Sequence, residues 1–227
     1  INDNWRIQTA VFDVNPRTNG APSKAFKPFS SGTTGAIIPA EIIYHHQSQL
    51  PGEYKFGYYH DTSRVDRIGN EQGRSSGRDG AYILADQTLW QSDSHQTRNL
   101  HLFGQWTVAD KSTSPFRHWY SAGLVLNSPF ISRPHDAIAI GYGRAIYNEK
   151  SRDADINSML AQGDYAGASE ASGLSHAEQL VELTYTLQAT PWLSLRPSLQ
   201  YIKEPGAFSS KEIKNAWVAG IQLKMAL

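Results

Sequence analysis

The chain contains no cysteine, which excludes disulfides and thiolate metal sites. It has no apolar run of about 18 residues, so no stretch reads as a membrane-spanning helix. It has no excess of either charge, because 21 basic and 21 acidic residues cancel. A nucleic-acid binder normally shows a basic surplus, and the balance argues against that partner. No signal peptide opens the chain, and Ile1 stands shortly before a strand-like segment, as expected of a mature or cut chain. Aromatic residues are plentiful, with 6 Trp and 11 Tyr among 227 residues. The mean hydropathy of −0.47 fits two all-β designs. One is a soluble β-sandwich. The other is a membrane barrel, whose strands carry one apolar face while lumen and loops are polar.

The C-terminal stretch 215–227 carries the clearest pattern. Trp217, Ala219, Ile221, Leu223, Met225 and Leu227 alternate with Val218, Gly220, Gln222, Lys224 and Ala226. Side chains alternate faces in a strand, so one face is apolar and the other small or polar. Such a strand is long enough to cross a bilayer at a tilt. The same reading gives ten strands, at roughly 5–14, 37–45, 53–61, 81–91, 100–109, 118–126, 136–147, 178–189, 193–202 and 215–227. In 180–189, Val181, Leu183, Tyr185 and Leu187 oppose Glu182, Thr184, Thr186 and Gln188. Strand 81–91 is less clean, because Asp86 shares a face with Tyr82, Leu84 and Trp90 by simple alternation. Pro197 falls within a strand, on its outward face, and removes a ladder donor, so a bulge or local irregularity is expected there.

The connections alternate in length. The long ones are about 15–36, 62–80, 110–117, 148–177 and 203–214; the short ones are about 46–52, 92–98, 127–135 and 190–192. Outer-membrane barrels have long extracellular loops and short periplasmic turns. With the last strand running toward the periplasm, every long loop falls outside. A sandwich has no reason to sort its connections by end. Loop 62–80 holds Arg64, Asp66, Arg67, Glu71, Arg74, Arg78 and Asp79. A basic patch is the functional reading, and a solvated mixed-charge loop the plainer one. The stretch 154–162 has the composition of a short helix.

Several runs are similar to a known family. Ala189-Thr-Pro-Trp-Leu-Ser-Leu-Arg-Pro-Ser-Leu-Gln-Tyr-Ile202, followed by Lys-Glu-Pro-Gly206, resembles the C-terminal signature of the carbohydrate-selective porins of the OprB type. So do Asp136-Ala-Ile-Ala-Ile-Gly-Tyr-Gly-Arg144, Leu84-Ala-Asp-Gln87 and Asn215-Ala-Trp-Val-Ala-Gly-Ile-Gln-Leu-Lys224. The resemblance implies a sixteen-stranded antiparallel transmembrane β-barrel passing monosaccharides such as glucose by facilitated diffusion. Its place would be the outer membrane of a Gram-negative bacterium, in contact with lipid, without enzymatic activity or a cofactor. Ten strands are six short of sixteen. The expectation is therefore one barrel domain over 1–227 that forms the C-terminal part of the porin. Six N-terminal strands would come from elsewhere, including a separate segment of the same barrel. A ten-strand barrel enzyme of the omptin type and a soluble β-sandwich binding module are the alternatives.

A sugar pore needs polar donors and acceptors at a constriction, and aromatic rings for C–H faces. Arg, with five fixed donors, suits vicinal hydroxyls. With the apolar faces toward lipid, the lumen receives Arg6, Gln8, Lys55, Tyr59, Glu182, Gln188, Arg196, Ser198, Gln200, Gln222 and Lys224. The expected sugar contacts are Arg6, Lys55, Glu182, Arg196 and Gln200. The competing role is a salt-bridged, hydrated wall, with Arg196 paired to Glu182. No metal site is expected. Among the histidines 45, 46, 60, 95, 101, 118, 135 and 176, the adjacent pairs His45–His46, His60–Asp61 and His135–Asp136 diverge in a strand and cannot converge on one ion or proton.

Overall fold

The computed structural model describes residues 3–17, 29–69, 73–92, 94, 97–206 and 209–226. Glu71, His95 and Leu227, and half of the connection expected at 15–36, lie outside them. The chain begins with β1 (Trp5–Thr9), β2 (Phe12–Val14), β3 (Gly35–His46) and β4 (Gly52–Asp61). A small hairpin of β5 (Val65–Asp66) and β6 (Arg74–Ser75) follows. Then come β7 (Arg78–Gln91), β8 (Asn99–Ala109), β9 (Phe116–Asn127) and β10 (Ala137–Tyr147). Two helices, α1 (Glu149–Ala161) and α2 (Tyr165–Ser172), precede β11 (Ala177–Thr190), β12 (Leu193–Lys203) and β13 (Ala216–Met225).

One 11-stranded antiparallel sheet runs β1-β3-β4-β7-β8-β9-β10-β11-β12-β13, with β2 also on β3. The only other sheet among the described residues is the β5–β6 hairpin. A sandwich of two packed sheets is thus not what forms. All ten expected strands are present, the first in two pieces. Its interruption at Ala10 and Val11 faces Pro39, which has no N–H to give the ladder. The Pro39 carbonyl still accepts from Ala10 N at 3.3 Å, and the register of β1 on β3 continues into β2. Among the described residues no ladder joins β1 to β13.

The sheet is a meander, so consecutive connections alternate ends. The connections 62–77, 110–115, 148–176 and 204–215 share one end, and the turns 47–51, 92–98, 128–136 and 191–192 share the other. The three longest of these connections share one end as expected, but 110–115 is shorter than the turns 92–98 and 128–136 at the other end. The helical connection is more structured than the sequence reading. Its first helix starts at Glu149 because Asn148 caps it, accepting from Lys150 N at 3.1 Å, and Glu149 sits favourably in the first turn. The second helix, in a tract of small residues, was not expected. Asp164 caps it through Gly167 N at 2.9 Å, and its Ala168 and Ala171 are buried.

Burial is inverted relative to a soluble domain. Among the described apolar residues only Ile43, Tyr147, Ala168, Ala171 and Ala177 are buried, while Ile221 is 73% exposed, Trp217 69% and Phe56 62%. The pairing register sorts the sheet into two faces. One carries Ile7, Ile42, Phe56, Ile83, Leu102, Leu124, Ile140, Leu183, Leu199 and Ile221. The other carries the polar and small residues. Strand β7 is resolved by an irregularity between Thr88 and Trp90, where Leu89 is extra. Asp86, Tyr82 and Leu84 share one face as expected, and the ladder makes it the polar one; the bulge turns Trp90 to the apolar face, against simple alternation. At Pro197 no bulge forms. The ladder to β11 lapses between Ser198 and Leu195, yet the register on both sides is unchanged. The bulge lies instead between Gln188 and Thr190.

Candidate functional site

The polar face is the site, and cross-strand pairing decides which residues share it. Arg6 is opposite Ile43, and Ile43 opposite Lys55. Glu182 is opposite Gln200, and Arg196 opposite Gln222. Following the ladders from strand to strand puts Arg6, Lys55, Glu182, Arg196 and Gln200 on one face. They do not form one cluster. Arg6 and Lys55 sit near the β1 edge, the other three near the β13 edge.

Near the β1 edge the charges neutralise in a chain. Lys55 Nζ is 2.8 Å from Glu53 Oε1, and Glu53 Oε2 is 3.1 Å from His45 Nδ1. His46 lies on the opposite face, 6.3 Å from the Tyr44 ring, so the two histidines diverge as expected. Near the β13 edge Glu182, Arg196, Ser198 and Gln222 line a groove of about 420 Å³. The Arg196–Glu182 ion pair of the competing wall-stiffening role is not made among the described residues. The register explains why: Leu195 faces Leu187 and Ser198 faces Thr184, so Arg196 is level with Thr186, a helix-turn's worth of residues along β11 from Glu182.

Beside Arg6 and Lys55, on the β1 side of the sheet, lies a feature the sequence reading missed. Glu41 is 8% exposed and accepts hydrogen bonds from Gln8 Nε2 at 2.7 Å and Tyr82 OH at 2.6 Å. Tyr82 faces Gly57 directly across the ladder. Its ring lies where a side chain at 57 would be, and a Cβ there would sit 1.9 Å from it. Tyr59 and Gly80 repeat the arrangement at 2.3 Å, and Phe103 and Gly123 at 2.4 Å. A ring laid over a strand glycine shields the bare backbone and pins the register. It also presents rings to the lumen side. The signal was legible as glycines at inward positions of strands, but the aromatic partner is fixed only by register.

The long connections are stapled over this end of the sheet. Asn148, 2% exposed, donates through Nδ2 to the carbonyls of Lys111 at 2.7 Å and Ser114 at 2.8 Å. Arg152, also 2% exposed, donates to the carbonyls of Ser209 at 2.9 Å and Ser175 at 3.2 Å, with its guanidinium 5.6 Å from the Tyr147 ring. Ile68 N donates to Ser112 O at 2.9 Å. In loop 62–80 the charges pair as a mixed-charge loop would: Arg74 Nε is 2.9 Å from Asp66 Oδ1, and Arg78 Nε is 2.7 Å from Asp61 Oδ2. Asp61 turns to Ser63 and Arg78, while His60 turns to Asp79. No dyad forms from that adjacent pair. At the opposite end Asp136, 2% exposed, binds Arg133, the Tyr185 hydroxyl and Gln188 N, the last at 3.0 Å. These donors hold its carboxyl down at about 2.

Comparison with known proteins agrees with this architecture. Porin B of Pseudomonas aeruginosa is 34% identical, covering 97% of this chain and 51% of that protein. A putative porin, QuiX, of Acinetobacter baylyi is 31% identical, covering 97% of this chain and 52% of that protein. The high-pH structure of Pseudomonas putida OprB superposes with a TM-score of 0.87 at 30% identity, over 99% of this chain and 56% of that one. The low-pH structure of the same porin gives 0.60 at 25% identity, over 99% and 52%. The chain spans about half the length of the curated relatives it matches. With the family profile of the carbohydrate-selective porins, OprB family, matching residues 1–227, the chain belongs to that family.

Proposed function

We propose that this chain supplies ten consecutive strands of an outer-membrane β-barrel porin that passes monosaccharides such as glucose by facilitated diffusion. Six further strands complete a barrel of sixteen between the open edges of β1 and β13. The observation that carries the reading is the sorting of faces: apolar residues outward along every long strand, and charges of both signs, amides and rings inward. The long connections then lie outside a Gram-negative cell and the short turns in the periplasm. A porin family is a family of channels, not of enzymes, so the omptin-type alternative falls away. Absence of a β1–β13 ladder among the described residues speaks against closure at ten strands.

The inward face suits a neutral polyol. Charges of both signs neutralise one another, so no strong field selects ions. Arg196, Gln200 and Glu182 offer donors and acceptors near the β13 edge, and Arg6 and Lys55 near the β1 edge. Tyr82, Tyr59 and Phe103 supply rings for C–H faces. The test is liposome swelling by the full-length porin carrying this segment. Glucose entry, with no cleavage of peptide substrates, is the expected result. Impermeability to glucose while salts pass would overturn the sugar reading.

A further inference from the structure

The apolar face of β8 to β13 carries two formal charges among the described residues, and both are positive. Ladder parity puts Arg144 and Lys203 on the side of Leu124, Leu183 and Leu199. They belong to one row: Tyr120 pairs Arg144, Arg144 pairs Gln179, and Gln179 pairs Lys203. Both are exposed, and neither takes part in an ion pair among the described residues. Two strand spacings place them roughly 10 Å apart. The row lies at the end of the sheet that bears the long connections, because β10 and β12 both run toward it.

The surroundings mark an interfacial depth. The same outward region holds Trp106, Tyr120 and Tyr142, and Tyr201 tilted against Trp217 at 4.9 Å between ring centroids. Aromatic side chains of this kind form girdles where barrel meets headgroups. His118 stacks between Trp106 and Tyr120 at 6.3 and 5.9 Å. Tyr142 OH donates to Gln179 Oε1 at 3.2 Å, which fixes the amide between the two cations. A positive charge on the lipid side is costly at the midplane and tolerated near the interface. Cations with no carboxylate beside them on the outward face of β8 to β13 among the described residues match phosphates, which Arg binds in bidentate fashion and Lys as a point charge.

We propose that Arg144 and Lys203 form a docking surface for the phosphates of an outer-leaflet glycolipid. The inference rests on the outer-membrane reading above. It is tested on the full-length porin in detergent by native mass spectrometry, with bisphosphorylated lipid A and its dephosphorylated form as probes. The native protein should retain the phosphorylated lipid about fivefold or more over the dephosphorylated one. Arg144→Gln with Lys203→Gln should abolish that preference, and Arg144→Lys with Lys203→Arg should keep it. Both variants should still admit glucose in liposomes, which shows that they fold. Equal retention of the two lipids by the native protein, or an undiminished preference in the glutamine variant, overturns the proposal. Failure of the native protein to insert into liposomes would instead overturn the outer-membrane reading.

Discussion

Tyr82 lies flat across Gly57 on the neighbouring strand and donates its hydroxyl to Glu41 one strand further on, at 2.6 Å. Glycine at 57 is required by space, not by backbone conformation. A methyl at that position would sit 1.9 Å from the ring. Gly57→Ala must expel Tyr82, and Glu41 then keeps only Gln8. Overpacking of this kind costs about 1–3 kcal/mol. Gly141→Ala is the control, because the nearest atom to its added Cβ is 4.0 Å away. Denaturant unfolding of the two variants should show a loss for the first and near-neutrality for the second. Equal stability would mean the ring does not rest on Gly57.

The assignment of faces makes an asymmetric prediction at two adjacent residues. Leu223 pairs Leu195, and Gln222 pairs Arg196. A lipid-facing Arg near the midplane of such a strand costs about 2–4 kcal/mol, less toward the interfaces. Leu223→Arg should impair folding into bilayers, and Gln222→Arg should be accepted on the inward face. Folding yields in lipid vesicles compare them directly. Reversal of the order would signal a one-residue slip, which exchanges the faces of the whole strand.

Much of this was legible because a barrel strand writes its environment at period two. Val181 to Leu187 and Leu193 to Leu199 could be assigned to a face without any knowledge of their partners, and the length sorting of connections gave the ends. What failed was whatever depends on register across strands. Trp90 was misplaced because nothing local announces Leu89 as an extra residue. The competing Arg196–Glu182 pair assumed adjacency that the ladder denies. Glu41 was overlooked because its partners, Gln8 and Tyr82, are distant in the chain. Of the candidate sugar contacts, the shared face was readable from alternation. Their division between two edges was not, since it follows from the order of strands in the sheet.

The turn before β10 has a predictable acid response. Asp136 has an ordinary carboxyl value of 3.8 and is held at about 2 by Arg133, Tyr185 and the Gln188 amide. A depressed folded-state value means the carboxylate stabilises the fold above about pH 4. That contribution is lost as pH falls through 4 toward 2. Asp136→Asn removes the titration. Thermal unfolding of both proteins should show native ahead of variant at pH 6 and the gap closing between pH 4 and 2. A constant gap over that window would mean the carboxylate is not the stabilising species.

Arg196 separates a sugar-binding role from a wall-stiffening one. The structure weakens the second, because its guanidinium makes no ion pair with Glu182 among the described residues. Its neighbours on the same face are Ser194, Ser198 and Gln222, short or neutral groups that leave a long side chain free to reach into the groove. Arg196→Ala in the full-length porin should therefore leave the unfolding midpoint close to native. Glucose block of ion current should weaken by about 0.5–1.5 kcal/mol for one lost hydrogen bond, or about 2- to 12-fold, and more if the bond is charge-assisted. Arg196→Lys should recover part of the loss, since it restores the charge but not the fixed fork of donors. Planar lipid bilayer recordings with increasing glucose read the block. Unchanged block in a folded Arg196→Ala pore would remove this residue from the sugar path and leave the β1-edge pair, Arg6 and Lys55, as the next to test.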